Sequence, residues 1–444
     1  MRKIKVIASF FILSLVMIVV YAYADTEVSG LITEDTTWTL NNSPYVLVDK
    51  VGVDYQVILT VEPGVQVKSN AGPFYYIKVM GKIIAQGTSS NPIIFTALVN
   101  NPSNSGWGGF EFVLNGENKQ SWEGSLFEWC EFSWLQFGIR SIEIYNQSEN
   151  PILVVRNCKF LNISRNGISF EENCLIENNY FTKCGYEDSW NETQCIFVGN
   201  GSSIIGNTIE NNYNDAIYAY QCEIFGNIIV QNQGNGILTK YSTMFSNIIC
   251  DNLCGVICRD STLTHNLICN NSTGVSTCNN TINYNSIFNN EKYYNISVQN
   301  DFLGVWDPCT IGSDATNNWW GTIDENEIQE SIYDYYDDWE LGEVNYTPWL
   351  IEPDPNVPTS STTSTPNLPC IIEELYSEHS KEANLLRYFR DNILSQTSEG
   401  QEIISLYYQW SPVIVKAMVE DAAFKNEVNE MIDGILPTIR ELVE

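Results

Sequence analysis

Between residues 202 and 290 apolar and polar positions recur with a period near 20. The segments SSIIGNTIENN, CEIFGNIIVQN, STMFSNIICDN, STLTHNLICNN and NTINYNSIFNN superimpose without gaps, in steps of 20, 20, 19 and 19 residues. One column holds Asn207, Asn227, Asn247, Asn266 and Asn285, and a second holds Asn212, Asn232, Asn252, Asn271 and Asn290. Two apolar columns run through Ile204, Ile224, Met244, Leu263, Ile282 and through Ile209, Ile229, Ile249, Ile268, Ile287. A third passes through Ile217, Ile237, Val256 and Val275, each preceded by a small residue (Ala216, Gly236, Gly255, Gly274). No helical apolar stripe accompanies this period, so each repeat reads as short strands joined by tight turns. Stacking places like residues above one another at the ~4.8 Å spacing of paired strands. The predicted architecture is a parallel β-helix with isoleucine filling the interior. The ladder asparagines are expected at bends, where Asn tolerates a left-handed backbone and can bond the next amide. The small residue is expected to ease a sharp turn. The many N-x-S/T triplets follow from the ladder and are not read as glycosylation signals.

The pattern continues upstream in weaker form, at Arg156-Asn157-Cys158, Glu177-Asn178-Asn179, Gly138-Ile139 and Gly167-Ile168. The interval from Asn179 to Asn207 is 28 residues, so a loop is inserted at GYEDSWNETQC, residues 185–195. Residues 25–352 then form about a dozen coils with end caps, a rod on the order of 60 Å long. Raw strand edges at the end of a stack need covering. The segment from Asn317 to Leu350, aromatic and acidic, is the expected lid, with Trp319, Trp320 and Trp349 buried against the last coils. Pro353 to Pro369 reads as an extended Pro/Ser/Thr linker, and residues 370–444 as a small α-helical module.

Residues 1–24 carry Arg2, Lys3 and Lys5, an apolar run from Val6 to Val20, and Ala22-Tyr23-Ala24, the layout of a cleaved export signal. The expected location is therefore secreted, periplasmic or cell-surface, with no membrane-spanning segment once the signal is removed. The chain has 444 residues, 22 Lys+Arg and 54 Asp+Glu, a net charge of -32. Such a surface repels nucleic acid, which is excluded as a partner. Thirteen cysteines in an exported chain invite a disulfide framework, but the number is odd and the chain is large, and neither suits a small stapled scaffold. Cys258 has inward parity. Cys250 and Cys269 share a column on adjacent coils, either as a disulfide or as two stacked thiols.

Taken together, the five-column repeat, LTVEPGVQVK (59–68), GKIIAQGTSSNPIIFT (81–96), GWGGFEF (106–112) and the closing NNWWGT resemble the pectin-lyase-like superfamily. That resemblance implies an all-β, right-handed single-stranded parallel β-helix over about residues 30–350. It does not imply one chemistry, because the superfamily holds lyases, hydrolases, epimerases and adhesins. Cys370-Ile371-Ile372, LLRYFRDNIL and LYYQWSP resemble the Cys-Phe-Ile-box domain that follows such linkers in exported proteins.

Two histidines, His265 and His379, exclude imidazole metal clusters. The carboxylate set of a galacturonase is absent, since His265 sits in THN and Asp337-Asp338 lies in the lid. The nearest thing to a catalytic pair for a lyase is Arg259-Asp260. The insertion offers Glu187, Asp188, Trp190 and Glu192 to stack on and hydrogen-bond a sugar. Asp334, Asp337 and Asp338 invite calcium but match no loop rule, so no cofactor and no metal is assigned. The expected function is a non-catalytic monomer presenting a binding face to polysaccharide or cell-envelope glycan. The rival is a polysaccharide lyase or glycoside hydrolase with a site near residues 183–195 and 259–260.

Overall fold

The computed structural model describes residues 25–69, 75–98, 107–113, 123–142, 152–186, 193–290, 294–298, 301–302, 305–306, 309–359, 422–443 and isolated positions between 375 and 418. The chain divides into two compact units, Met1–Thr359 and Ser360–Glu444.

The first unit is a right-handed parallel β-helix. Each regular coil supplies three strands, for example Glu223–Phe225, Ile228–Val230 and Ile237–Lys240. The first strands stack into a thirteen-stranded sheet. The second and third strands stack separately but form one 23-stranded sheet, because the long strand Tyr45–Val53 pairs with both Gln66–Ser69 and Ile77–Val79. Repeat residues are direct partners: Ile209 with Ile229, Ile229 with Ile249, and Ile249 with Ile268, all fully buried. Burying one such side chain stabilises by roughly 1.5–3 kcal/mol, and stacking repeats that gain along the axis.

The ladder asparagines depart from the expectation in one respect. The left-handed residue at the corner is the one before each asparagine: Gly206, Gly226, Ser246, His265 and Tyr284 have φ between 54° and 64°. That residue turns the chain, and the asparagine after it points inward, buried. There Asn227 N–H and Nδ2–H both donate to Asn247 Oδ1, at 2.9 and 3.0 Å, and Nδ2–H also reaches the Ile204 carbonyl at 2.8 Å. The short amide is selected because it satisfies backbone groups that the corner strips from the strand ladder. The second asparagine column repeats this, from Asn212 through Asn290. A third corner does the same with smaller groups: Cys222 N–H donates to Ser242 Oγ, Ser242 N–H to Ser261 Oγ, and Ser261 N–H to Asn280 Oδ1.

The small residue before the third apolar column also has a different reason from the one expected. Gly236 and Gly255 do not have positive φ. A Cβ on Gly255 would lie 2.6 Å from the Gly274 carbonyl oxygen, so glycine is required by the close approach of successive coils.

Cys258 is inward and buried, as its parity predicts. Cys250 and Cys269 are joined as a disulfide with Cα atoms 4.8 Å apart, and Cys278 is joined to Cys309. At the closing end Trp320 is buried, but Trp319 and Trp349 are only half-buried. Trp319 bridges Ser286 on the outward parity of the second stack, so its neighbour Trp320, and not Trp319, faces the core. Residues 353–359, expected in the linker, stay with the helix: Val357 is buried over the outer side of Val230, Leu267 and the Cys250–Cys269 bridge.

The second unit contains the helix Ala422–Val443, in which Val428 packs with Met418 and with Leu375, Phe424 and Ile432. Tyr376 Oη donates to Asp433 Oδ1 at 2.6 Å. Residues 1–24, most of the linker, and Cys370-Ile371-Ile372 lie outside the described residues. Among the described residues no helix is long and apolar enough to cross a membrane.

Candidate functional site

Arg259 and Asp260 are neighbours in space as in sequence, with Nε to Oδ2 at 3.6 Å, and both side chains are more than three-quarters buried. Asp260 is the left-handed residue of the third corner, and its Oδ1 accepts from Asn279 Nδ2, one coil on, at 2.6 Å. The pair thus tethers two coils. The insertion leaves and rejoins the stack at a different corner. There Gly185 N–H donates to the Ile163 carbonyl, and Asn214 Nδ2 donates to Thr193 Oγ1. The strand after it, Gln194–Val198, is three rungs from Cys254–Arg259, about 14 Å along the axis at the strand spacing. The described ends of the insertion and the Arg259–Asp260 pair therefore stand at different corners of the stack. Glu187, Asp188, Trp190 and Glu192 lie outside the described residues.

A row of exposed rings follows the first corner. Phe225 and Phe245 stack at 5.5 Å, Phe245 meets His265 at 5.1 Å, and His265 stacks on Tyr284 at 5.7 Å. Phe225 with Phe245 and His265 with Tyr284 lie face to face, and Phe245 meets His265 edge-on. They act as cross-strand pairs holding coils together and offer little face for a ligand.

The closing segment is built differently. Asp324 caps the short helix Glu325–Glu330 by accepting from Asn326 N–H at 2.9 Å. Ile328 is buried toward the core, while Asn326, Gln329 and Glu330, spaced i, i+3 and i+4, line a cavity. The chain then adds a last strand to the third stack, Ile332–Tyr333, and turns at Asp334. Asp334 is 4% exposed: one carboxylate oxygen accepts from Tyr336 N–H at 3.0 Å and the other from Val344 N–H at 2.7 Å. That carboxylate ties the turn to the last strand of the first stack, Val344–Asn345.

Held this way, the turn projects its aromatic side chains outward. Trp339 is 76% exposed, Tyr336 70% and Tyr335 49%. Tyr335 and Tyr336 meet edge to face at 5.6 Å, and Tyr336 Oη donates to Glu343 Oε1 at 3.1 Å, a bond that raises the phenol's pKa. Tyr336 also lines the cavity, about 650 Å³, whose walls include Glu330, Asp337, Glu343, Asn345 and Tyr346 together with the helix face. Among the described residues no three His, Cys, Asp or Glu side chains converge as a metal-holding group; Asp337 accepts from Asp334 N–H and Asp338 from Glu340 N–H.

None of this site was singled out from the sequence as a sugar contact. The signal available was the run YDYYDDWE within a stretch devoid of Lys, Arg and His from Tyr293 to Glu378.

The body of the molecule thus defines a right-handed parallel β-helix. Residues 30–139 match the family model described as "Pectate-lyase like beta helix domain", about a quarter of the chain. No curated protein matches. Among solved structures the chain is similar to the periplasmic alginate epimerase AlgG, at 13% identity and TM-score 0.35, covering 72% of this chain and 84% of that one. It is also similar to the Azotobacter vinelandii mannuronan C-5 epimerase AlgE4 A-module, at 13% identity and TM-score 0.35, covering 74% and 89%. The Dettilon tailspike protein is a further likeness, at 10% identity and TM-score 0.29, covering 68% and 61%. Likenesses of this strength say nothing of what this chain binds.

Proposed function

We propose that the chain is an exported, carbohydrate-binding β-helix protein whose glycan contact is the rim at its C-terminal end. The observation that carries this reading is the turn exposing Tyr335, Tyr336 and Trp339, of which Tyr336 lines a polar cavity. Large rings left in water forgo roughly 25 cal/mol for each Å² of apolar surface, so a cluster of them marks a contact site. Sugar rings offer apolar C–H faces to stack on and hydroxyls to bond, and this rim supplies the counterpart of each: aromatic rings, then the carboxylates and amides of Glu330, Glu343, Asn326, Gln329 and Asn345. The matched family description, a pectate-lyase-like β-helix domain, agrees with a carbohydrate partner. Export rests on the signal-like first 24 residues.

The test is titration of the purified chain with a panel of neutral, amine-bearing and acidic oligosaccharides, assayed also for bond cleavage. Trp339→Ala is expected to weaken the best binder at least about tenfold, the loss of one exposed stacking contact, with the melting temperature unchanged. Undiminished binding in a Tyr336→Ala/Trp339→Ala double variant would move the contact away from the rim. Cleavage abolished by Arg259→Ala would replace a binding role with a catalytic one.

A further inference from the structure

Resting on the rim as a glycan contact, we infer that the glycan it selects carries protonated amines, as in a polymer of unacetylated amino sugars. Between Cys309 and Thr359 the chain holds twelve Asp and Glu and no Lys, Arg or His. The three ion pairs among the described residues, Arg140–Glu111, Arg156–Glu128 and Arg259–Asp260, all lie outside this segment. Acidity alone would describe any solvated surface. Here, however, Glu330, Asp337 and Glu343 face one walled cavity, and the aromatic turn stands at its edge. Asp334 and Asp337 spend oxygens on backbone N–H groups, whereas Glu330, on the helix, and Glu343, which accepts from the Tyr336 phenol, are exposed. A neutral sugar would meet hydrogen-bond acceptors in excess of donors. A uronate would meet like charge. An amine on every ring supplies both the missing donors and the opposite charge, while its C–H face remains free to stack on the tyrosine and tryptophan rings.

The experiment compares three hexasaccharides on the full-length protein, at a pH where the amine is protonated and the carboxylates are ionised: glucosamine, N-acetylglucosamine and galacturonate. Each exposed charge pair adds roughly 1.5- to 5-fold, so two or three engaged carboxylates predict about tenfold tighter binding of the amine form than of its acetylated twin. The galacturonate should not bind. The preference should shrink toward twofold in about 0.5 M salt, and in a Glu330→Gln/Glu343→Gln variant the ratio of the two amino-sugar affinities should fall to near one, whatever happens to the affinities themselves. Equal binding of the two amino-sugar forms would overturn the charge selection and leave the aromatic rim standing. Failure of all oligosaccharides to bind would overturn both. Hexalysine binding as tightly as the glucosamine hexamer would show a site for charge and not for sugar, and would also overturn the inference.

Discussion

The described coils of residues 123–142 and 152–186 and those of residues 202–290 follow one backbone path and fill it with different residues. Both turn at a left-handed residue followed by an inward one: Asn157 then Cys158 upstream, Gly226 then Asn227 downstream. Upstream, the second stack's interior column is Phe132, Phe160 and Phe181, rings stacked at 4.6 Å and 4°. Downstream, the same column continues as Ile209, Ile229, Ile249, Ile268 and Ile287. The asparagine ladder begins at Asn179; before it, Cys158 and Cys130 hold the place, and Cys130 N–H donates to the Cys158 sulfur at 3.4 Å. Sulfur is a weak acceptor. Cohesion between upstream coils is therefore carried by aromatic burial, and between downstream coils by a buried amide chain added to a lighter aliphatic core. The corner geometry is what both regions share; the inward filler is exchangeable.

The largest effect expected from this difference is at Asn247. Its Oδ1 accepts two bonds from Asn227, and its Nδ2 donates to Asn266 Oδ1 and to the Ile224 and Phe245 carbonyls. Asn247→Leu would strand several buried groups at about 1–3 kcal/mol each, so a loss of about 4 kcal/mol or more in urea unfolding is expected. Cys158→Ala, at the matching corner upstream, should cost about 1–2 kcal/mol. Equal losses at the two positions would erase the distinction between the regions.

The legibility of the fold followed the same division. Downstream, strict spacing puts identical residues in columns, so the coil, its interior and the Cys250–Cys269 contact could be read from the chain. Upstream, phenylalanine and cysteine replace isoleucine and asparagine, so identity survives only in fragments such as Arg156-Asn157-Cys158 and Gly138-Ile139 although parity is kept. The third corner escaped because Ser202, Ser242, Ser261 and Asn280 share only an oxygen that accepts the N–H one coil back. The rim escaped for a stronger reason: Glu330, Asp334, Tyr336 and Glu343 belong to no repeat, and their convergence depends on how the last strands of two stacks end.

Disulfides sharpen the contrast. Among the described residues both bridges, Cys250–Cys269 and Cys278–Cys309, fall in the downstream part, and Cys130, Cys158, Cys174 and Cys184 upstream are buried thiols. Cys309→Ser opens a loop of sequence separation 31 that fastens the rim-bearing segment to the stack. A loss of about 2–4 kcal/mol is expected, seen as faster hydrogen exchange confined to residues after Cys278. Faster exchange in the upstream coils as well would mean that the molecule unfolds as one unit, without regional stability. A smaller effect tests the interior itself: Ile229→Phe inserts an upstream residue into the downstream column and should cost about 1–3 kcal/mol by overpacking. No loss there would show that coil width, and not filler, is what the two regions share.

The smallest effect expected lies where the regions meet, at Asp215. Burial raises its pKa, although Asn235 N–H and Nδ2–H, which donate to its Oδ1 at 2.7 and 3.0 Å, pull it back down. Because the folded carboxyl holds its proton more tightly than the unfolded one, ionisation at neutral pH costs stability. That cost fades as pH falls through the folded pKa toward the ordinary carboxylate value near 4. Asp215→Asn keeps an oxygen for both bonds and removes the charge, so it should raise the denaturation midpoint slightly at pH 7, with the gain vanishing below about pH 4. A lower midpoint at pH 7 would mean that the two charge-assisted bonds outweigh desolvation. The junction would then be held as the downstream ladder is, by polar bonds, and not, as the upstream coils are, by burial alone.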